Sequence, residues 1–578
     1  MILSLILLVG WMFAGQKLLQ ILSFKWPFFV ELAAGFLLGN LFIVYAIFLL
    51  GFFLPHSLIV FILTGISGLW CILFFPRQIK IDKFWTLVFI LSALFFGILY
   101  SSIWQTNQGS LTLRMRGVWG DWGIHIGLPL YYKSINKTVL ENPFISGQKF
   151  TYSFLNAYIP EAMLQLGSPL RDSIIFPGII WSIALTLLIV FFGKKIGLKK
   201  LFWLAPFLFF LSGNLGFIYF FKDNLAFPLI REYGHFWESN FHLGNILDFF
   251  FVSQRSFLFG FGFGLIILLS LLKSAKKSSY VFAGILFGLL PLIHMHSFIS
   301  LGLILGVYSL MQYKKISTWI WFWIPAAILS LPVLTWLAVS TAGNFLSIKL
   351  GWMAGSENWL WFWIKNTPII IPAFLGTWFV PAWALFVVAN LIQFQPNLAD
   401  NNKLFVWWYL LAGVYPALLF LEKVNKKIIS LVIILVVTFS GVLQLVWVFQ
   451  NKWEFANAEE LEVAEFAKKS CPQGRWLTSN RHNHPVFTFA GRPTVLGYRG
   501  WLWTWGIDYT QVETEVKLMY QFPDKNLYLF KKHQVSYAVI GPAEIQEYSP
   551  DIHKWQETYP LVYNSQKYLV FAVSPCSH

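Results

Sequence analysis

The stretch 117-GVWGDWGIH-125 sets one carboxylate, Asp121, between Trp119-Gly120 and Trp122-Gly123, where four apolar spans end and a polar stretch of about fifty residues begins. Those spans, 3–24, 28–54, 56–76 and 84–104, are each long enough to cross roughly 30 Å of hydrocarbon. Lys17, Lys25, Arg77, Lys80 and Lys83 fall in alternate connections, so the positive-inside rule puts those connections in the cytoplasm and the loop carrying Asp121 outside. A carboxylate there can meet a lipid head and a water-soluble partner together, which points to chemistry at the interface.

Outward from this segment the pattern repeats. Spans 173–193 and 201–221 flank the basic run KKIGLKK and bring a second polar loop, 222–254, to the same outer face. Within the first outer loop, 105–172, the segment TYSFLNAYIPEAMLQLG reads as amphipathic and surface-lying. After 257–272 the apolar stretch 280–311 is too long for one untilted span, and Pro291, His294 and His296 interrupt it, so it reads as two short helices. The stretch NWLWFWIKNTPIIIPAF is equally ambiguous, and the last spans are 372–392, 404–421 and 428–449.

The expected fold is an α-helical polytopic membrane protein of about 11–13 spans over residues 1–451, followed by an extracytoplasmic α/β domain over 452–578. In that domain ANAEELEVAEFAKK and a stretch after Gly506 read as helices, and RWLT, VSYAVIG, LVYN and YLVFAV as strands.

Composition agrees, with 57% hydrophobic and 12% charged residues among 578. Residues 452–578 hold 13 Lys and Arg against 13 Asp and Glu, so the whole net charge of +16 sits on the membrane part. Such charge serves topology and anionic lipid heads. No basic, aromatic-interleaved soluble surface occurs, which excludes a nucleic-acid partner. The N-terminus lacks a basic n-region and a small-residue cleavage site, so it reads as a retained helix. Cys71 lies in an apolar span, whereas Cys471 and Cys576 bracket the C-terminal part. Paired, those two would close a loop of about 100 residues and restrain its ends by several kcal/mol; two unrelated thiols are the other reading.

Several side chains could carry chemistry. Asp121 can accept a proton or help hold a metal, and His125, four residues on, shares its face if the turn is helical. In the second loop Glu232, His235 and Glu238 have spacings of three, which would stack them on one helical face as a second acid or a divalent-ion site; Glu232 and His235 are candidate substrate contacts and, with Asp121, candidate metal ligands. Arg255 opens an apolar span, where its guanidinium would snorkel or grip an anion such as a lipid phosphate. His294 and His296, at i and i+2, point to different sides of a helix, so shared ligation needs a break, and helix–helix hydrogen bonding is the plainer role. Lys403 and Asp400 fall in a connecting loop that would flank the same outer site. In the C-terminal part Arg481, His482, His484, Arg492, Arg499, Trp501 and Asp508 cluster as sugar-binding groups or as packing against the membrane. No Walker loop, dinucleotide fingerprint, zinc-ligand spacing or nucleophile elbow is present, which argues against nucleotide-driven pumps, soluble redox enzymes and serine hydrolases.

The order of features, GDWGIH in a large outer loop, KFTYSFLNAYIPEAM downstream, QRS opening a span, PLIHMHS and a C-terminal α/β part, resembles the GT-C superfamily of membrane glycosyltransferases. That superfamily includes protein O-mannosyltransferases, aminoarabinose transferases and oligosaccharyltransferase catalytic subunits. The resemblance implies a polyprenyl-phosphate-linked sugar as donor and an extracytoplasmic glycan, lipid or protein as acceptor. It implies that Asp121 activates the acceptor or binds a metal, and that Arg255, His294 and Lys403 contact the donor phosphate. The chain departs from the best-known members in placing four spans, not one, before the acidic loop and in lacking an adjacent second carboxylate there. A transporter or flippase of lipid-linked glycans would use a similar basic, aromatic cavity without bond cleavage, but the internal symmetry expected of one is missing. A noncatalytic assembly factor that binds glycan through 452–578 is the third reading.

Overall fold

Apolar length dictates the helices, because a backbone crossing hydrocarbon must satisfy its own polar groups. The computed structural model describes residues 1–75, 82–272, 274, 276–339, 346–424 and 426–574. It opens with α1 (Ile2–Ile21), α2 (Phe28–Leu50), α3 (His56–Phe74) and α4 (Lys83–Ile103). The connection holding Arg77 and Lys80 lies outside the described residues. After α4 come the hairpin β1 (Trp104–Asn107) and β2 (Ser110–Leu113), α5 (Arg116–Ile135), α6 (Tyr158–Gln165) and α7 (Leu170–Ile196).

The middle of the chain is more broken than its hydropathy suggests. The expected span 201–221 is two short helices, α8 (Ala205–Phe210) and α9 (Phe217–Lys222), separated by an irregular stretch. That stretch is satisfied from neighbours: the Gly213 amide donates to the Val437 carbonyl over 2.8 Å, and the Asn214 side chain donates to the Gly234 carbonyl over 2.6 Å. Non-helical backbone is tolerated in such a bundle only where protein buries it in this way.

Next are α10 (Arg255–Leu271), α11 (Lys277–Gly288) and α12 (Met295–Met311), so 280–311 is indeed two helices, with the break before Met295. Then α13 (Ile316–Val339), β3 (Ser347–Ile348), α14 (Trp359–Asn366), α15 (Ile370–Phe374), α16 (Val380–Leu391) and β4 (Ile392–Gln393) follow. The expected span 372–392 is thus split between α15 and α16. α17 (Leu398–Trp408) runs through a π-helical turn, Tyr409–Val414, into α18 (Tyr415–Val424), and α19 (Lys427–Gln450) closes the bundle. Among the described residues eight helical runs are long and apolar enough to cross a membrane, and four shorter apolar helices accompany them. The protein is an α-helical polytopic membrane protein.

β5 (Trp453–Ala456) pairs with β2, giving a three-stranded sheet in the order β1-β2-β5. This sheet ties the end of α4 to the end of α19, so the loop carrying Asp121 and the C-terminal part lie on one side. The C-terminal part adds α20 (Ala458–Lys468), capped by a reciprocal Asn457–Glu460 box. Its four-stranded sheet combines β6 (Arg475–Leu477), β7 (Val535–Ile540), β8 (Leu561–Asn564) and β9 (Leu569–Ala572) in the order β6-β7-β9-β8, with β6 parallel to β7 and the other pairs antiparallel. One continuous buried apolar cluster runs from Leu7 in α1 to Phe571 in β9. Cys471 is disulfide-bonded, whereas Cys576 lies outside the described residues.

One expectation is overturned here. TYSFLNAYIPEAMLQLG does not lie on a surface: Tyr158 to Leu164 of α6 are all buried. Glu161 in that helix pairs with the wholly buried His56 at the start of α3, with His56 Nδ1 3.1 Å from Glu161 Oε1.

Candidate functional site

The glycines of 117-GVWGDWGIH-125 do not make a flexible turn; they make a helix that can be covered on two sides. In α5, positions four apart share a face, and positions two apart lie on nearly opposite faces. Gly123 and Gly127 form one face, which the C-terminal part covers. A Cβ on Gly123 would stand 1.8 Å from the His482 carbonyl oxygen, and one on Gly127 would stand 2.2 Å from the Phe487 ring. Asp121 and His125 form the opposite face and look toward the bundle. The helix stops where Asn136 adopts a left-handed conformation, φ 59°, and its amide returns to the Tyr132 carbonyl.

Three bundle elements meet that face. At the start of α10, Gln254 Nε2 donates to Asp121 Oδ2 over a long 3.4 Å. Beside it, Arg255 is 2% exposed, its guanidinium carbon 5.9 Å from the Trp122 ring and 5.5 Å from the Trp181 ring. None of its three nitrogens has a hydrogen-bond partner among the described residues. The Trp122 indole is fixed by donating to the Val252 carbonyl over 3.1 Å. From the break before α12, His294 stacks on Phe257 at 4.4 Å between ring centroids, with His296 5.4 Å away. His294 Nδ1 accepts from the Ser297 amide over 3.1 Å, which in the neutral tautomer places the ring proton on Nε2. From α17, Lys403 Nζ pairs with Asp400 Oδ1 at 2.5 Å, and the lysine is within electrostatic reach of Asp121, His125, His294 and His296.

Electrostatics sets the protonation of the α5 pair, which lies outside the apolar spans. Burial pushes the Asp121 carboxyl up to about 7; Lys403 and the Gln254 bond pull it down, and Asp400 pushes it up. His125 is driven down to about 3 by burial and by the charges of Arg255 and Lys403. It is therefore a neutral ring near pH 7. Asp121 sits where a carboxylate exchanges protons at that pH.

Of the residues singled out in the sequence, the fold brings Asp121, His125, Arg255, His294, His296 and Lys403 near one another. It adds groups that no motif marks. Tyr152, beside Ser256, is within electrostatic reach of Asp121 and Asp400, and Trp181 supplies a face for Arg255.

The remaining predicted residues lie elsewhere. Glu232, His235 and Glu238 do not stack on a helix, because only Trp237–Ser239 is helical there, as a single 3-10 turn. Glu232 is instead buried with Asp248, and the Gln444 amide donates to both carboxylates, over 2.5 and 2.7 Å. The His235 ring packs on Trp237 and Phe249. Among the described residues no three His, Cys, Asp or Glu side chains converge as metal ligands, so Asp121, Glu232 and His235 do not form the expected divalent-metal set. Arg499 is committed to Glu513 and Glu547, and Trp501 packs on Phe144 and Tyr498.

Fold and site together define a polytopic membrane protein with an acid, histidine and arginine centre where a helical bundle meets an α/β unit. No protein-family model and no curated protein sequence matches the chain. Solved structures are similar in architecture. The apo oligosaccharyltransferase of Archaeoglobus fulgidus aligns over 80% of this chain and 70% of its own, at 12% identity and a TM-score of 0.45. The AglB oligosaccharyltransferase of the same organism, in complex with an inhibitory peptide and a dolichol-phosphate, covers 85% and 74% at 12% identity and 0.44. ArnT from Cupriavidus metallidurans bound to undecaprenyl phosphate covers 86% and 99% at 11% identity and 0.44. These likenesses concern overall architecture, and the functional reading rests on the residues of the site.

Proposed function

We propose that the chain is a membrane glycosyltransferase that moves a sugar from a polyprenyl-phosphate donor to an extracytoplasmic acceptor. One observation carries the reading: a carboxyl poised near neutrality shares a site with a buried guanidinium that has no counter-ion or hydrogen-bond partner among the described residues. A buried cation left in that state is costly, and an anionic ligand removes the cost.

Group transfer uses both features. The acceptor hydroxyl oxygen attacks the anomeric carbon as the bond from that carbon to the phosphate oxygen breaks. The bonding pair leaves on the phosphate, and the hydroxyl proton passes to the Asp121 carboxylate. Negative charge grows on the leaving phosphate, opposite Arg255, with Lys403 and the His294 Nε2 proton as further stabilising groups. Neutral His125 can orient a hydroxyl without competing for the proton. The α/β part covers the Gly123–Gly127 face of α5, and the lysines between the last two spans support an extracytoplasmic side for it in this proposal.

The test is transfer of radiolabelled sugar from a panel of polyprenyl-phosphate donors by purified protein, with Asp121→Ala in parallel and with or without divalent metal. Turnover lost in the variant supports the reading. Donor binding without cleavage by either protein would replace it with a flippase.

A further inference from the structure

A wide cleft opens away from Asp121. It has a volume of about 750 Å³, lies between the second outer loop and the segment leading into α14, and shares no lining residue with the site above. That volume is within the usual range of small-ligand clefts, roughly 300–1,000 Å³.

Its floor is a built polar layer. Lys365, 6% exposed, donates to Glu357 Oε1 over 2.7 Å and to the Ser239 carbonyl over 2.8 Å. The other Glu357 oxygen accepts from Asn240 Nδ2 over 2.6 Å. The carboxylate is thus fixed in orientation while retaining lone pairs for a further donor. The walls carry Trp237 and Trp361, which are 48% and 50% exposed, and Tyr219. The charged lining residues are Lys222, Lys365, Glu238 and Glu357, two of each sign. The cation on the floor is already neutralised by Glu357, which distinguishes this cleft from the Arg255 site.

Wide aromatic faces, fixed hydrogen-bonding groups and zero net charge suit a ligand with apolar ring faces, many hydroxyls and no charge. We propose that this cleft binds a neutral oligosaccharide at a site separate from the Asp121 centre, independently of whether Asp121 carries group transfer. Hydrogen bonds run from the cleft toward α17 without bringing Asp121 into its lining. The His242 ring is hydrogen-bonded to Asn240, and the His242 carbonyl accepts from Asn402 Nδ2 over 3.3 Å, next to Lys403 on α17.

The experiment is isothermal titration of the full chain in lipid nanodiscs with chitotriose, cellotriose and maltotriose. At least one sugar should bind saturably. Trp237→Ala and Trp361→Ala, which remove exposed rings and leave the core intact, should each weaken binding by roughly tenfold or more. Glu357→Gln should weaken it as well, and Asp121→Asn should leave it unchanged. No binding of any of the three sugars would overturn the proposal, as would binding that survives the Trp237→Ala/Trp361→Ala double variant. Loss of binding in Asp121→Asn would also overturn it, because the sugar would then occupy the other site. Quenching of Trp237 and Trp361 fluorescence by brominated acyl chains would overturn it too, by showing both rings in lipid.

Discussion

Two arginine-bearing regions of this chain are treated in opposite ways. In the C-terminal α/β part, the Arg475 guanidinium bonds Glu141 and the carbonyls of Thr494 and Asn142. Nearby, Arg481 pairs with Glu460, Arg492 donates to the carbonyls of Ala467 and Lys468, and Arg499 holds Glu513 and Glu547. In the bundle, Arg255 is as buried as Arg475 and Arg492, but among the described residues its guanidinium makes no hydrogen bond and lies against the faces of two tryptophans. Cation–π contact offers about 0.5–2 kcal/mol, well short of the several kcal/mol that desolvating a charge costs. The four C-terminal arginines therefore hold structure together, whereas Arg255, in the function proposed above, meets an anion that the described residues do not supply.

Substitutions can break this contrast. The largest expected effect is on turnover in Asp121→Ala: losing a general base lowers kcat by about 10²- to 10⁴-fold, and a sugar-transfer assay reads it. Full activity in that variant would remove Asp121 from the mechanism. Next, Arg255→Met should lower kcat/KM by about 10²- to 10³-fold, as deletion of a leaving-charge stabiliser does. It should leave thermal stability unchanged or raised, since an apolar side chain of similar volume replaces an unpaired ion. Arg475→Met should do the reverse, leaving chemistry intact and lowering stability by about 2–3 kcal/mol through lost charge-assisted hydrogen bonds. Paired melting curves and activity assays decide between these patterns. A large loss of stability in Arg255→Met would mean that this arginine, too, is structural.

How legible these roles were in the sequence depends on the residue. Apolar length fixed the long helices, and the strands VSYAVIG, LVYN and YLVFAV were marked by β-branched and aromatic residues in short runs. The breaks at Leu211–Gly216 and between α15 and α16 were not marked, because hydropathy averages over a window and the irregular backbone is satisfied by tertiary bonds such as that from Asn214. Asp121 and Arg255 stood out because a charge beside an apolar span is rare. Glu232 and Glu238 misled, since an i, i+3 spacing suggests a shared face only where the backbone is helical, and here it is not. The arginines of the C-terminal part resembled a ligand cluster in sequence. Only their partners, many of them carbonyls, identify them as structural.

The same contrast extends to two carboxylates, buried Glu544 and half-buried Asp121, and sharpens with pH. Glu544 in the α/β part is held down to about 2 by His484 and by the Ser479 amide, against the opposing effect of burial. Its folded pKa lies below the unfolded value near 4.3, so the stability it lends is present above that pH and is lost as pH falls toward 2. Accordingly Glu544→Gln should cost roughly 3 kcal/mol at pH 7, the equivalent of about two pKa units, and little near pH 2; chemical denaturation at the two pH values measures it. Asp121 runs the other way. Its folded pKa lies above the unfolded value near 3.9, so its ionisation opposes folding, and the stability of the wild type relative to Asp121→Asn should fall as pH rises from about 4 to about 7. Over the acid side of that interval kcat/KM should rise about tenfold per pH unit and level off above about 7, because only the carboxylate accepts the acceptor proton. This last effect is the smallest per step and the most specific. A profile flat from pH 5 to 8 would show that Asp121 does not act as the base, even if Asp121→Ala is inactive.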